Sequence, residues 1–327
     1  MRTVISSDRK LLSSDRKYYL APLEGLTGYI YRRAYHQYFG GIDRYFTPFI
    51  KPNQYGHLSS RERNDILPEN NHGMQVVPQI LTNNAEDFIE TAAKLQQYGY
   101  KEVNLNLGCP SKTVINKKRG SGFLAFPEEL DAFLEEVFTK SKVGVSIKTR
   151  IGKENPDEFA HLMEIYNKYP LTELIVHPRV QQDFYKNTPN LSVFMEALQA
   201  AKMPVCYNGD ICSRADYQNI IERCPQLALV MIGRGILANP NLIGLIKGDL
   251  TASKEIVRRF HNHIYADYKE VMSGERNVLY KMKELWFYLQ HSFTNSDKYA
   301  KKIRKSGRLA MYEDTVESLF EEQELIY

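Results

Sequence analysis

Apolar residues are distributed along the chain in two alternating patterns. Short runs rich in Val, Ile, Leu and Tyr are followed by longer segments in which apolar residues recur every three or four positions. The short runs predict β-strands, and the longer segments predict amphipathic helices. Eight strands are predicted in this way, at Tyr18–Pro22, Arg44–Pro48, Val76–Ile80, Val103–Leu107, Gly144–Thr149, Leu174–His177, Pro204–Asn208 and Leu229–Gly233.

Two of the intervening segments have clear helix boundaries. The segment AEDFIETAAKLQQYG predicts a helix that stops at Gly99, and PEELDAFLEEVF predicts a helix with Pro127 at its first position. The polar stretch Lys51–Gly73, between the second and third strands, predicts a loop that contains a short helix. This stretch interrupts an otherwise regular alternation.

Eight strands that alternate with helices predict an α/β fold, and the favoured architecture is a closed parallel TIM (β/α)8 barrel. A doubly wound open sheet is the alternative, because periodicity does not distinguish the two. The predicted division is a polar N-terminal tail (1–17), a barrel domain (18–248) and a small C-terminal helical-bundle domain (249–327). The tail contains SSDRK twice, at Ser6–Lys10 and Ser13–Lys17, which are too few copies to build a repeat structure.

Polar side chains stand at the end of almost every predicted strand. In a TIM barrel the carboxyl ends of the strands meet at one face and form the active site there. We therefore expect a single pocket lined by amide, amine, imidazole and guanidinium groups. The residues concerned are Glu24, Gln79, Asn104, Asn106, Cys109, Lys148, Arg150, His177, Asn208, Asp210 and Arg234.

The last two strands end in the glycine-containing segments YNGDI and MIGRGIL. Glycine allows the backbone to approach a ligand closely, and barrels often bind phosphate at the loops after strands seven and eight. These segments predict a phosphorylated organic cofactor. The sequence contains no Walker-type loop and no carboxylate cluster with metal-ligand spacing. Redox chemistry with an organic cofactor is therefore favoured over metal-assisted hydrolysis.

Cysteine usage and the lack of long apolar runs disfavour several classes of protein. The four cysteines form no C-x-x-C pair, which disfavours a zinc site and a disulfide framework. No apolar run is long enough to span a membrane, and the polar N-terminal residues lack the apolar segment of a signal peptide. We expect a cytoplasmic, metal-free protein, and we favour a monomer.

Basic residues are concentrated in two regions, although the formal net charge is only +4. Residues 251–308 contain 13 Lys and Arg against 6 Asp and Glu, and residues 309–327 contain 6 acidic residues and no basic one. A helical bundle with a basic face predicts contacts with phosphates of a nucleic acid. A second basic run, KTVINKKRG, follows Cys109 directly.

Seven segments of the chain together resemble the signature segments of the bacterial tRNA-dihydrouridine synthases. In order they are LAPLEGLTG, VVPQI, VNLNLGCPSKTVINKKRGSGFLA, VSIKTRIG, LIVHPR, VCYNGDI and VMIGRGIL. The resemblance covers roughly Tyr18 to Lys247 and extends more loosely into the C-terminal part. Two departures are visible: Leu23 stands where the family usually has Met, and His177 is followed by Pro-Arg-Val instead of Gly-Arg-Thr.

The resemblance implies an FMN-dependent barrel that reduces the C5–C6 double bond of particular uridines in tRNA, with NADPH as the electron donor. It implies that Cys109 is the general acid that protonates C5. It also implies FMN contacts from Pro22, Leu23, Glu24, Gln79, Lys148, His177, Asn208, Gly209, Asp210, Gly233 and Arg234. Without the resemblance, Cys109 would be interpreted as an inert, small, buried side chain.

The substrate tRNA is expected to contact two groups of residues. Asn106 and Arg150 would face the uracil base, as the resemblance implies. The candidates for phosphate contacts are Lys112, Lys117, Lys118, Arg119, Lys281, Lys283, Arg304 and Lys305. Trp286, in the segment LWFYL, is interpreted as a core residue and not as a base-stacking residue.

Two other classes of function remain possible from the sequence. The first is a flavin barrel that reduces a small molecule, such as a free pyrimidine or an enone, and it would not need a basic helical domain. The second is a non-catalytic RNA-binding protein, which would have no use for a flavin pocket beside a cysteine. The reduced uridine position, a ribosomal RNA target and the choice between NADPH and NADH stay open.

Overall fold

The computed structural model describes residues 16–52, 57–249 and 251–327. Nine strands, all paired in parallel, form one sheet in the order β3-β2-β1-β9-β8-β7-β6-β5-β4. Their bounds are β1 Lys17–Leu20, β2 Arg44–Phe46, β3 Val76–Val77, β4 Gln79–Ile80, β5 Glu102–Leu107, β6 Gly144–Arg150, β7 Leu174–His177, β8 Val205–Tyr207 and β9 Leu229–Ile232.

Strands β3 and β4 are the two halves of one predicted strand, which is interrupted at Pro78. Val77 pairs with Phe46 of β2, whereas Gln79 pairs with Asn104 of β5. The two ends of the sheet therefore meet at Pro78, and the sheet closes on itself. The predicted TIM barrel is confirmed, and the open doubly wound alternative is wrong, because its sheet would have two free edges.

Helices follow the strands on the outside of the barrel, as the alternation predicts. Both predicted helix boundaries are confirmed: Gly99 follows the third helix with φ of +92°, and Pro127 opens the fifth. The barrel helices are α1 Tyr29–Tyr38, α2 Ser60–Ile66, α3 Ala85–Gln97, α4 Lys112–Ile115, α5 Pro127–Lys140, α6 Glu158–Tyr166, α7 Leu191–Ala200, α8 Arg214–Arg223, α9 Arg234–Ala238 and α10 Leu242–Lys247.

The polar stretch between the second and third predicted strands contains the expected short helix. Helix α2 starts with a capping box, in which the Ser59 hydroxyl accepts a hydrogen bond from the Glu62 backbone N–H and the Glu62 carboxylate accepts one from the Ser59 backbone. A single 3-10 turn, Pro68–Asn71, follows it. The part of this stretch at residues 53–56 lies outside the described residues.

Alternate residues of the strands fill the inside of the barrel. Tyr19, Phe46, Ile175, Cys206 and Met231 form an apolar cluster inside it, each at most 2% exposed. The other face of each strand packs against the helices in a larger apolar cluster. The core therefore lies below the carboxyl ends of the strands and leaves that face for a pocket.

The C-terminal segments form four further helices, α11 Lys254–Val271, α12 Glu275–Leu289, α13 Asp297–Lys305 and α14 Leu309–Glu322. Phe260 of α11 packs edge-on against Tyr31 and Phe39 of the barrel, with ring centroids 5.6 and 5.1 Å away. Trp286 is 1% exposed, and its indole N–H donates to the Tyr312 hydroxyl at 2.8 Å. The interpretation of Trp286 as a core residue is therefore confirmed.

The first described residues already belong to the barrel domain. Strand β1 begins at Lys17, and the Arg16 guanidinium donates to the carbonyl oxygens of Leu227 and Pro225. Residues 1–15 of the predicted N-terminal tail, and with them one whole SSDRK copy and most of the other, lie outside the described residues. No helix within the described part combines the length and apolarity needed to cross a bilayer.

An acidic side chain is buried at the end of the barrel opposite the carboxyl ends of the strands. Glu173 lies just before β7, is 4% exposed, and accepts a hydrogen bond from the Tyr19 hydroxyl at 2.9 Å. Arg44 forms ion pairs with both Glu173 and Glu102. Burial raises the pKa of Glu173 to about 7, although the Arg44 charge opposes this rise.

This raised pKa predicts how stability changes with pH. The folded protein keeps a proton on Glu173 up to about pH 7, whereas the unfolded chain releases it near the usual value of 4.5. The free energy of unfolding should therefore fall as pH rises from about 5 to 8, by at most about 3 kcal/mol from this group. Glu173→Gln should remove that slope in thermal melts, and Glu135→Gln, exposed on α5, should keep it. Equal slopes for the wild type and Glu173→Gln would contradict the prediction.

Candidate active site

A pocket opens at the carboxyl ends of the strands, where the sequence predicts it. Backbone and side chains from the ends of β1, β5, β6, β7, β8 and β9 line it. The structure brings together twelve of the predicted site residues in its lining, namely Pro22, Leu23, Glu24, Asn106, Cys109, Lys148, His177, Asn208, Gly209, Asp210, Gly233 and Arg234. Among the described residues, no group of three His, Cys, Asp or Glu side chains could hold a metal ion.

A chain of amide side chains supports the pocket from below. The Asn106 amide donates to Gln79 Oε1 at 2.7 Å, and the Gln79 amide donates to Asn104 Oδ1 at 2.8 Å. The Asn104 amide in turn donates to the Ser146 hydroxyl at 2.9 Å. Gln79 is fully buried and is not part of the pocket lining, so it holds Asn106 in place.

Cys109 sits in a tight turn just after β5. Asn106 Oδ1 accepts hydrogen bonds from the backbone N–H groups of Gly108 and Cys109, both at 3.0 Å. The thiol packs beside the apolar side chains of Phe49 and Val114. Burial raises the pKa of Cys109 above its usual value, a rise that the Ser111 backbone N–H opposes. The thiol is therefore protonated at neutral pH and can act as an acid.

The glycine-rich segment after the basic run packs against the back of this turn. The Ser121 hydroxyl and backbone N–H donate to the Cys109 carbonyl oxygen at 2.9 and 3.1 Å. Gly120 has φ of +57°, and a Cβ there would lie 2.8 Å from the same oxygen. Only glycine fits at this position, and the segment therefore fixes the turn that carries Cys109.

Two nitrogen bases of the pocket have lowered pKa values. Burial and the Arg150 charge lower the pKa of Lys148 to about 8. Burial and the surrounding cations hold the pKa of His177 well below its usual value. An arginine only donates hydrogen bonds, so the Arg179 contact at 2.9 Å makes His177 Nε2 an acceptor and the imidazole neutral.

Arg179 is a site residue that the analysis of the sequence missed. Its side chain is 1% exposed and donates to the Asp210 carboxylate through two nitrogens, to the Asn187 carbonyl oxygen and to His177. Asp210 also pairs with Arg234. Its pKa stays below the usual value because these hydrogen bonds and charges outweigh its burial. The signal in the sequence was that Arg179 keeps the arginine of the Gly-Arg-Thr segment, although the residues on either side of it differ.

Tyr185 is a second missed residue, at the mouth of the pocket. It is 47% exposed, and its ring stacks on His177 with centroids 6.0 Å apart. The guanidinium groups of Arg234 and Arg150 lie 4.6 and 5.4 Å from the ring centroid. The preceding residue, Phe184, has φ of +51°. Phe184 and Tyr185 lie in a loop without periodicity, so the sequence does not indicate which way either side chain points.

Comparison with known proteins assigns the chain to a family. The model of the family described as "Dihydrouridine synthase (Dus)" matches residues 19–325. The chain belongs to the dihydrouridine synthase family. This match extends through the four C-terminal helices, which the resemblance covered only loosely.

Relatives within the dihydrouridine synthase family share modest identity with this chain. The tRNA-dihydrouridine(16) synthase of Pseudomonas syringae pv. tomato is 30% identical over 231 residues, which cover 68% of this chain and 72% of that protein. The protein of the same name from Vibrio parahaemolyticus is 24% identical over 312 residues and covers 89% and 92%. Histamine dehydrogenase from Rhizobium sp. 4-9 shares the barrel fold, with a TM-score of 0.51 and 11% identity over 76% of this chain and 49% of that one.

Arg150 occupies a different place in this dihydrouridine synthase from the one that the sequence suggests. Its side chain is fully buried and donates to the carbonyl oxygens of Gly108, Val180 and Phe184. These bonds join the turn before Cys109 to the loop that carries Tyr185. The guanidinium therefore braces two walls of the pocket, and it is not among the lining residues.

Some of the basic residues predicted to contact RNA are exposed to solvent, and others already contact groups within the protein. Lys112, Lys117, Arg304 and Lys305 are exposed. Lys118 lies over the Phe126 ring and pairs with Glu129, and Arg119 donates to the Asn83 side chain. Lys281 and Lys283 donate to the carbonyl oxygens of Gly25 and Ser306, at 2.8 and 2.6 Å. Lys281 thereby connects α12 to the loop that carries Glu24.

Proposed function

We propose that this protein reduces the C5–C6 double bond of uridine in tRNA to give 5,6-dihydrouridine, with FMN as the cofactor and NADPH as the electron donor. The single observation that carries this proposal is the Cys109 thiol, whose pKa is raised by burial, in the wall of a pocket that also contains Lys148 and Arg234 at the carboxyl ends of a barrel. Membership of the dihydrouridine synthase family and the names of the relatives supply the substrate class.

The chemistry of the lining residues suits a phosphorylated flavin. Pro22 and Leu23 provide an apolar wall for a planar ring, and Lys148 provides an amine beside it. At the other end, Arg234 and the backbone of Gly209 and Gly233 can receive a phosphate. Helix α9 begins directly after Gly233, but it is too short to add a strong dipole.

Bound FMN would supply a hydride to C6 of the uracil ring, after taking it from NADPH. The proton for C5 must come from the protein. Cys109 can give it, since burial keeps the thiol protonated, and a proton from solvent then restores the thiol. Asn106 accepts a hydrogen bond from the backbone N–H of Cys109 and lines the same pocket, so it orients the acid and can contact a base bound there.

The cationic groups of the pocket favour electron-rich ligands. With a pKa of about 8, Lys148 is mostly charged at neutral pH and can stabilise negative charge next to it. His177 stays neutral and therefore serves as a hydrogen-bonding wall. Tyr185, half-exposed at the mouth, presents an aromatic face to whatever enters.

The tRNA would be held by the exposed basic residues outside the pocket. We assign catalysis to the barrel (18–248) and part of the RNA grip to the C-terminal helices (249–327), where Arg304 and Lys305 are exposed. A uridine must leave its stack to reach the pocket, which costs a few kcal/mol and less for an unpaired loop base. The relatives' names make position 16 the first position to examine. We propose that the protein acts as a cytoplasmic monomer.

The test is the formation of dihydrouridine in tRNA that starts without it. The purified protein is mixed with NADPH and this tRNA, and nucleosides are measured by mass spectrometry. Dihydrouridine should appear at a mapped position and depend on NADPH. Ribosomal RNA and free uridine serve as competing substrates. Product from either of these alone, with none from tRNA, would overturn the proposal.

A further inference from the structure

A second pocket adjoins the catalytic one, between the barrel and the C-terminal helices. We call it the side pocket, and its walls include Tyr29 of α1, Asn64 and Asp65 of α2, and Tyr268 of α11. Pro48 lines both pockets. Gly25, in the side pocket, directly follows Glu24 of the catalytic pocket. The two pockets are therefore adjacent, and a strand of RNA with one nucleotide in the catalytic pocket can place a neighbouring nucleotide in the side pocket.

The size and walls of the side pocket fit a nucleobase. Its volume is about 260 Å³, and an apolar cavity of about 150 Å³ already holds benzene. Tyr29 and Tyr268 contribute aromatic surface, and Val271 and Met272 contribute aliphatic surface. Every base has a flat face that stacks on such walls.

Polar groups in the side pocket can recognise the edge of a base. Asp65 Oδ1 accepts hydrogen bonds from the Tyr29 backbone N–H at 2.6 Å and from Arg32. Among the described residues, none donates a hydrogen bond to the other carboxylate oxygen, Asp65 Oδ2. Burial raises the pKa of Asp65, so a further donor would stabilise its charged form. The neighbouring Asn64 side chain lines the pocket as well.

Two cations line the side pocket close to its border with the catalytic pocket. Arg61 lines the side pocket, is 54% exposed, and pairs with Glu24 at the border with the catalytic pocket. Lys281 lines the side pocket and donates to the Gly25 carbonyl oxygen at 2.8 Å. Contacts from these cations to phosphates would position a strand without reading its sequence.

We propose that the side pocket binds the base of a nucleotide next to the reduced uridine in the RNA substrate. This inference rests on the proposed function and specifies how the substrate is held. The base stacks against Tyr29, and its amino or imino N–H groups donate to Asp65 and Asn64. Tyr29 and Asn64 are thus specificity-determining residues that contact the substrate away from the reacting atoms.

The first measurement is the steady-state rate of uridine reduction as a function of tRNA concentration. Loss of a stacked base typically weakens binding by about 5- to 100-fold. Tyr29→Leu and Asn64→Ala should therefore raise KM for tRNA several-fold to tens-fold and leave kcat within about twofold. The matched controls are Tyr98→Leu, at the opposite end of the barrel, and Asn219→Ala, exposed on α8. Thermal melts verify that each variant is folded.

The second measurement identifies the bound base. The product of the wild-type protein is mapped first, and an abasic nucleotide is then placed on either side of the reduced uridine. One of the two tRNAs should bind more weakly to the wild type, and Tyr29→Leu should add no further loss on that tRNA. On the other abasic tRNA and on the intact one, Tyr29→Leu should retain its full effect.

The outcomes separate the two levels of inference. If the wild type makes no dihydrouridine in any RNA, the proposed function fails and the side-pocket inference fails with it. If product forms but Tyr29→Leu and Asn64→Ala behave like their controls, only the side-pocket inference is overturned. The same holds if the losses from Tyr29→Leu and from each abasic site simply multiply.

Discussion

Cys109→Ala is expected to lower the rate of uridine reduction in tRNA by about 10²- to 10⁴-fold, the usual contribution of a positioned general acid. Burial raises the pKa of the Cys109 thiol and keeps the thiol protonated. The wall of the pocket around it consists of apolar and amide side chains. Oxidation of NADPH by the bound flavin with oxygen as acceptor should persist, because that reaction needs no proton on C5. Single-turnover assays with both acceptors measure the two rates.

Cys212→Ala is the matched control for Cys109→Ala. Cys212 is exposed two residues after Asp210 and has no place in the proton transfer. Its removal should leave uridine reduction within about twofold of the wild type. If Cys109→Ala retains most of its activity, or loses NADPH oxidation in parallel, the acid must be assigned to another group.

Arg179→Ala is expected to cause the largest structural loss in the site. The substitution removes the hydrogen bonds to Asp210, His177 and Asn187 at once. It also creates a cavity, because the Arg179 side chain is only 1% exposed. A fully buried pair typically costs about 3–5 kcal/mol to break. Asp210 is 38% exposed, so we expect about 2–3 kcal/mol here. Thermal unfolding and the visible absorbance of retained flavin measure the two consequences.

Arg234→Ala separates the structural contribution of Arg179 from the general effect of charge. Arg234 pairs with the same carboxylate but is 34% exposed. Its loss should lower stability less than the loss of Arg179, although both remove one positive charge near the expected phosphate. Equal losses of stability would mean that the buried contacts of Arg179 contribute little.

The barrel could be predicted from the sequence because each strand and helix carries its own periodic pattern. The break at Pro78 could not be predicted, because which neighbour a residue pairs with depends on closure of the whole sheet. The strand-end residues were found because a parallel barrel gathers them at one face by topology alone. The pattern places a residue at that face but does not give the direction of its side chain. The burial of Arg150 could therefore not be predicted.

The site residues that sequence patterns did not indicate are those that lie in loops. Arg179 and Tyr185 lie in a segment without periodicity. Their roles depend on contacts with residues at the ends of three other strands, namely Arg150, Asp210 and Arg234. For Lys281, the charge of a basic helix residue predicts a phosphate contact but not the partner within the protein. Its ammonium group donates to the Gly25 carbonyl oxygen, and charge alone could not reveal that partner.

The interruption at Pro78 has a consequence for how the barrel resists opening. A closed barrel has no strand edge for another chain to pair with. At Pro78 the ladder changes partner between strands of only two residues, and proline contributes no N–H to either side. The Asn104 backbone N–H still donates to the Pro78 carbonyl oxygen at 2.8 Å. Detachment of this divided strand, β3 and β4 together, would give the barrel two free edges, along β2 and β5, and with them a surface for self-association.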